Sequence, residues 1–264
     1  MDLHLTGKQV FITGGSVGIG LAVAHAFARE GATVIIGARN KERVEREAAN
    51  IAAAHGVETL GIAMDVTVAE DIQRAEQAIV QRFGGIDILI NNAGAGTEET
   101  IMDAPDEKWY HVWDLHVMAA IRTARAFVPY MRERGGGVIL NTASICASQP
   151  LYYEPIYNTT KAALVMMGKC LANELIPHNI RVNTINPGLI LTPDWVKTAT
   201  LLGDKEGITA QAYLDRIATD NTPIQRFGTP EELAEFYVFL ASDKASYSVG
   251  STYYVDGGWL NVVN

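Results

Sequence analysis

The 264-residue chain predicts an α/β fold, a doubly wound parallel sheet with helices on both faces. Three observations lead there. Short apolar runs rich in Val and Ile alternate with longer helix-forming segments, the rhythm of a parallel sheet covered on both sides. The first apolar run ends in a glycine cluster that opens onto an amphipathic helix. No repeat, low-complexity tract or Pro/Ser-rich linker interrupts the pattern, and a hydrophobic content of 48% supplies a sizeable core, so residues 1–264 are expected to form one domain.

Residues 9–13 (QVFIT) read as the first strand, and the cluster Gly14-Gly15-Ser16-Val17-Gly18-Ile19-Gly20 follows. Strand, glycine turn and helix (21–30) together bring a diphosphate onto a helix N-terminus. Gly14 permits the tight turn, Gly18 the approach of backbone to phosphate, and Gly20 the packing of helix on strand. Ser16, Val17 and Ile19 lie within the same candidate cofactor loop. The second strand, 33–38, ends where a dinucleotide fold reads the adenosine ribose. No carboxylate stands there. Arg39 does, and a guanidinium suits a 2′-phosphate, so NADP(H) is favoured over NAD(H).

A polar, alanine-rich helix is expected over 41–54, a third strand over 59–64 and a helix over 68–83. Asp65 and Val66 are placed at the adenine edge. A fourth strand, 86–90, runs into Asn91-Asn92-Ala93-Gly94, small residues that fit a cofactor passing close by. A helix follows over 105–130, then a strand over 137–143 with Ser144 at its end.

Tyr157 and Lys161 are four residues apart, which on a helix puts both on one face. Pro155 suits the first turn of that helix, and Pro177 stops it after Leu175. An ammonium near a phenol favours the phenolate and lowers its pKa, which makes the tyrosine usable as an acid or base. A strand over 180–185, a helix from Pro230 to about Leu240 and a strand over 251–255 complete the pattern.

Composition narrows the partners. The net charge of −9 argues against nucleic acid, which calls for a basic face. Cys146 and Cys170 suggest no disulfide framework, and a cytoplasmic setting is expected. The N-terminus lacks the pattern of a signal peptide, and no run reaches the roughly 18 apolar residues of a membrane span. No metal-ligand pattern is present.

These motifs together resemble the short-chain dehydrogenase/reductase (SDR) family. The matching stretches are residues 13–20, Asn91-Asn92-Ala93-Gly94, Ser144 with Tyr157 and Lys161, residues 186–192 (NPGLILT) and Asp256-Gly257-Gly258. The resemblance covers nearly the whole chain. It implies a Rossmann-type sheet of about seven parallel strands, a nicotinamide cofactor, hydride transfer between a carbonyl and a secondary alcohol, and a homotetramer or homodimer. Carried over by position, Tyr157 is the acid/base on the substrate oxygen, Lys161 tunes it and holds the nicotinamide ribose, and Ser144 orients the oxygen. Asn91, Ala93 and Gly94 line the cofactor. Ile190 and Thr192 fix the carboxamide, with Pro187 and Gly188 shaping the turn.

One position departs from the family pattern. His116 stands where an asparagine normally relays protons to the lysine through water. A neutral imidazole donates with one nitrogen and accepts with the other, so His116 is expected to serve in the relay, against the alternative of a satisfied core histidine. Residues 193–225 lack clear strands and read as a substrate lid, against the alternative of two surface helices. Cys146, Tyr153, Leu189 and Trp195 are candidates for the substrate pocket, with Glu154 as a polar edge. The apolar end (Trp259, Leu260, Val262, Val263) suggests packing against a neighbouring subunit. The expected activity is oxidoreduction of a carbonyl/alcohol pair on a small or medium, cyclic or polyhydroxylated ketone. The rivals are a 3-oxoacyl-thioester reductase, an NAD-linked sugar or polyol dehydrogenase, and a cofactor-binding sensor without turnover.

Overall fold

The computed structural model describes residues 2–261. Seven strands form one parallel sheet in the order β3-β2-β1-β4-β5-β6-β7. They are β1 (Gln9–Thr13), β2 (Thr33–Ala38), β3 (Thr59–Ala63), β4 (Ile88–Asn91), β5 (Gly137–Thr142), β6 (Ile180–Pro187) and β7 (Thr252–Val255). The helices are α1 (Gly18–Arg29), α2 (Lys41–His55), α3 (Ala69–Phe83), α4 (Asp106–Trp113), α5 (Ala119–Glu133), α6 (Pro155–Leu175), α7 (Pro193–Glu206), α8 (Ala210–Asn221) and α9 (Pro230–Ala241).

The near-continuous apolar runs of the strands are what a sheet buried on both faces requires. Alternate residues serve opposite sides. Val10, Ile12, Val34, Ile36, Ile90 and Leu140 pack under α1, α2 and α9. Phe11, Ile35, Leu89, Ile139 and Val182 pack under α3, α5 and α6. The order reverses between β1 and β4, and at such a switch point the carboxyl ends of the strands open a crevice for a ligand.

Several local features depart from expectation. The helix foreseen over 105–130 is interrupted by a π-turn, Asp114–Met118, between α4 and α5. Such bulges widen a helix locally and re-aim one side chain, here His116. Residues 193–225 hold the two helices α7 and α8 rather than an irregular loop. Pro193 opens α7, Gly207 closes it in the left-handed conformation (φ +71°), and the Thr209 side chain caps α8. At the C-terminal end, Trp259 packs inside its own chain with Ile145, Cys146 and Leu189 rather than standing free for a neighbour. Val262 and Val263 lie outside the described residues. Cys146 and Cys170 are both free thiols. Among the described residues no helix is long and apolar enough to cross a membrane, and no group of three or more His, Cys, Asp or Glu is arranged to hold a metal ion.

Candidate active site

The glycine turn after β1 is held from below. Gly14 adopts φ +68° and Gly18 φ +57°, conformations that strain any residue with a Cβ. At Gly20 a Cβ would lie 2.3 Å from the Gly14 carbonyl oxygen, so glycine is required for α1 to start this close to β1. Val17 precedes α1 in extended conformation, no side chain caps the helix, and its first turn holds no acid. The free N–H groups there suit a phosphate. Ser16 is buried beneath the loop, whereas Val17 is exposed. Arg39 stands exposed just beyond β2, beside Asn40, whose side chain caps α2. These features fit a dinucleotide with an additional phosphate on its ribose.

Asp65 is committed locally. Its carboxylate accepts from the Thr67 N–H (2.9 Å) and hydroxyl (2.7 Å), building the turn before α3, while Val66 is buried. Across the crevice, Asn91 bonds to Asn141 (3.0 Å) and receives the Thr123 hydroxyl (2.7 Å), so its amide is fixed within the sheet. Ala93 donates its N–H to the Thr13 hydroxyl. Gly94 passes between His116 and Lys161, where a Cβ would be 3.1 Å from the His116 Nε2 and 3.3 Å from the Lys161 Nζ.

At the end of β5, the backbone turns through a short 3₁₀ segment at Ile145–Ala147, and Ser144 accepts the Cys146 N–H (3.2 Å). Pro155 begins α6, which carries Tyr157 in its first turn and Lys161 one turn later. The Ser144 hydroxyl lies close enough to the Tyr157 phenol to favour its anion. The Lys161 Nζ lies 5.4 Å from the centre of the Tyr157 ring and donates to the Thr142 carbonyl at 2.8 Å.

The electrostatics differ from the expectation that the ammonium lowers the phenol. Burial dominates and pushes the Tyr157 phenol above its ordinary range, with Ser144 opposing. Burial also lowers Lys161 to about 8. At neutral pH the site therefore holds a protonated phenol beside an ammonium, an arrangement that can donate a proton.

His116 is buried on the π-turn, its ring edge-on to Tyr157 at 5.5 Å between centres. Its Nδ1 lies 2.8 Å from the Thr160 hydroxyl, which gives its own proton to the Ile156 carbonyl (2.9 Å). This assigns the hydrogen to Nδ1 and leaves Nε2 as an acceptor, where the Ala95 N–H approaches at 3.3 Å. Burial and Lys161 lower the imidazole to about 2, so it is neutral. His116 thus braces the loop after β4, with Gly94 between it and the lysine. It has the contacts that a core histidine satisfies and the position that a relay needs.

The wall facing Tyr157 is apolar: Cys146, Leu189, Trp195 and Trp259 share one cluster, and Trp195 stacks edge-on against Phe227 at 5.2 Å. Gly228 donates its N–H to the Leu189 carbonyl and accepts the Leu191 N–H, holding the strip 188–192, with Ile190 buried and Thr192 opposite Gly18. Pro187 ends β6, and Gly188 donates to the Val255 carbonyl. Tyr153 is largely exposed and binds the loop at Glu99 through its backbone carbonyl.

The residue the sequence undervalued is Glu154. It is only 8% exposed, receives the Cys146 thiol at 3.5 Å and the Thr97 N–H, and is raised to about 7, mainly by burial. A carboxyl directly before a helix reads as solvent-facing in sequence. The loop after β4 folds over it, with Gly96 against its side chain.

Comparison with known proteins agrees with this geometry. A family model described as enoyl-(acyl carrier protein) reductase matches residues 14–260. Dehydrogenase/reductase SDR family member 4 of Oryctolagus cuniculus is 37% identical, with 96% of this chain and 94% of the relative covered. The crystal structure of L-sorbose reductase from Gluconobacter frateurii, complexed with NADPH and L-sorbose, superimposes with a TM-score of 0.98 at 54% identity, covering 100% of both chains. A 7α-hydroxysteroid dehydrogenase complexed with NADH is similar at a TM-score of 0.89 and 31% identity, covering 100% of this chain and 98% of that one.

Proposed function

The chain belongs to the short-chain dehydrogenase/reductase family of oxidoreductases, and from that premise we propose that it reduces a small polyhydroxylated ketone with NADPH and oxidises the matching secondary alcohol in reverse. The observation that carries the proposal is the buried carboxyl of Glu154 beside Cys146 (3.5 Å), which shares one cluster with Tyr157. An apolar ketone adds no donor to Glu154, whose side-chain partner is the weak Cys146 thiol donor, and a buried carboxyl so weakly paired is costly. A sugar-like substrate brings hydroxyls that donate to it. The similarity to a protein whose structure holds NADPH and L-sorbose supports the same substrate class.

The reduced nicotinamide supplies the hydride to the carbonyl carbon when it is bound. The chain does the rest. The N-terminus of α1 and the turn at Gly14 and Gly18 would hold the phosphates, and Arg39 would pair with a 2′-phosphate. Ile190 and Thr192 would hold the carboxamide side, and Lys161 the ribose. Ser144 donates a hydrogen bond to the substrate oxygen, and Tyr157 gives that oxygen its proton as the carbonyl becomes an alcohol. Lys161 stabilises the phenolate left behind, and His116 lies where a proton can be passed back towards it.

The test is a reductase screen of ketohexoses, simple ketones and 3-oxoacyl thioesters with NADPH and NADH, run beside Tyr157→Phe. Turnover of a ketohexose that Tyr157→Phe lowers by about 10²–10⁴-fold, with NADPH affinity kept, is expected. Turnover confined to thioesters or to apolar ketones would overturn the substrate class. NADPH binding that drives no turnover of any substrate would favour a sensor.

A further inference from the structure

Beneath the glycine turn lies a chain of buried and half-buried hydrogen bonds that the proposed chemistry does not use directly. It begins on α9 at Tyr237, a phenol with no exposed surface, whose OH lies 2.7 Å from the Thr142 hydroxyl. The Thr142 hydroxyl in turn approaches the Asn92 Oδ1 at 3.4 Å. Asn92 gives its amide hydrogens to the Thr13 carbonyl (3.1 Å) and the Gly14 carbonyl (3.3 Å). Its backbone N–H adds a bond to the Thr13 hydroxyl at 3.1 Å.

Donor arithmetic fixes the polarity of this chain. Both hydrogens of the Asn92 amide are spent on carbonyls, so its oxygen must accept. The single Thr142 proton therefore goes to Asn92, and Thr142 accepts from Tyr237. Asn92 is wedged where α1 begins: a Cβ at Gly20 would sit 2.5 Å from its Nδ2. If the Asn92 amide turned over, its oxygen would face two carbonyl oxygens, and the turn at Gly14 would lose both of its side-chain ties.

We propose that Tyr237 is a positioning residue for the cofactor: through Thr142 it locks the Asn92 amide, and Asn92 holds the glycine turn in the shape that receives the diphosphate. Thr142 is the branch point, because its backbone carbonyl also anchors the Lys161 ammonium. One residue thus ties the phosphate end of the crevice to the catalytic end. Side-chain substitutions at Thr142 spare that carbonyl, which lets the two ties be separated.

The proposal rests on the oxidoreductase function proposed above, so its test reads more than turnover. Tyr237→Phe and Thr142→Val cut the chain at successive bonds, and Thr142→Ser restores the hydroxyl. The dissociation constant for NADPH, from quenching of tryptophan fluorescence, should rise about three- to tenfold in the first two variants. In Thr142→Ser it should return to within about twofold of the parent. In the cofactor-free protein, amide exchange at residues 14–20 should quicken in the first two variants and not in the third. Unchanged NADPH affinity, with faster exchange confined to α9, would overturn the proposal and leave Tyr237 a packing residue. If the parent chain binds no NADPH, it is the oxidoreductase function that fails. The exchange measurement then still decides whether Tyr237 holds the turn.

Discussion

Replacing Glu154 by glutamine tests whether its carboxyl is as strongly displaced as its surroundings demand. Burial raises it from 4.5 to about 7, against the Cys146 thiol and the Thr97 N–H, which both favour the anion. A folded-state pKa above the unfolded value means that the folded chain binds this proton more tightly. The stability it contributes is full below about pH 4.5 and is lost as pH rises through about 7. Between pH 5 and pH 8.5 the parent should lose about 2–3 kcal/mol that the glutamine variant does not. For a chain of this length the gap between their melting temperatures should widen by about 5 °C or more over that range. Thermal unfolding of both proteins at the two pH values measures it. A gap that stays constant with pH would mean an ordinary carboxyl and would refute the reasoning. The same substitution should cost function. Ionised Glu154 accepts from substrate hydroxyls, so kcat/KM for a ketohexose should climb through about pH 7 in the parent. It should fall about tenfold at pH 7.5 and lose that acid limb in Glu154→Gln.

Two further outcomes are expected. Arg39→Ala should weaken NADPH by about 10-fold or more while leaving NADH nearly unchanged, because only the former loses a charge-assisted phosphate contact; equal losses for both cofactors in a fluorescence titration would remove Arg39 from that role. His116→Asn should preserve folding yet lower kcat about tenfold and alter its pH profile, since the asparagine cannot reach both Thr160 and the Ala95 N–H with the same geometry; an unchanged rate and profile would leave His116 as a core residue.

Much of this architecture is legible in the sequence because its signals are local. Val34-Ile35-Ile36 can be satisfied only between two helix layers, and that face-independent burial is what the structure contains. Gly14, Gly18 and Gly20 report close backbone approach, and each is where a side chain would strain or collide. The helices in 193–225 were also written locally, in Pro193, Gly207 and Thr209, although the length of the segment argues for a loop. The π-turn at Asp114–Met118 has no such local mark. Neither does the burial of Glu154, which depends on a loop from β4 closing over it. The Tyr237–Thr142 bond spans 95 positions, and neither residue alone suggests the other.

The same distinction bears on the pairing of Tyr157 with Lys161. Spacing fixes that the two share a helix face. It cannot say how much water either loses. In the folded chain Lys161 is buried and Tyr157 partly buried, and the ammonium is turned towards the Thr142 carbonyl. Desolvation then disfavours the charged form of each group, raising the phenol and lowering the ammonium. A phenolate is costly in this state and becomes cheaper only as positive charge and hydrogen-bond donors are brought to its oxygen. Ser144 is one donor already present. Positive charge brought by a bound oxidised nicotinamide would add to this, so the resting chain keeps on Tyr157 the proton that reduction needs.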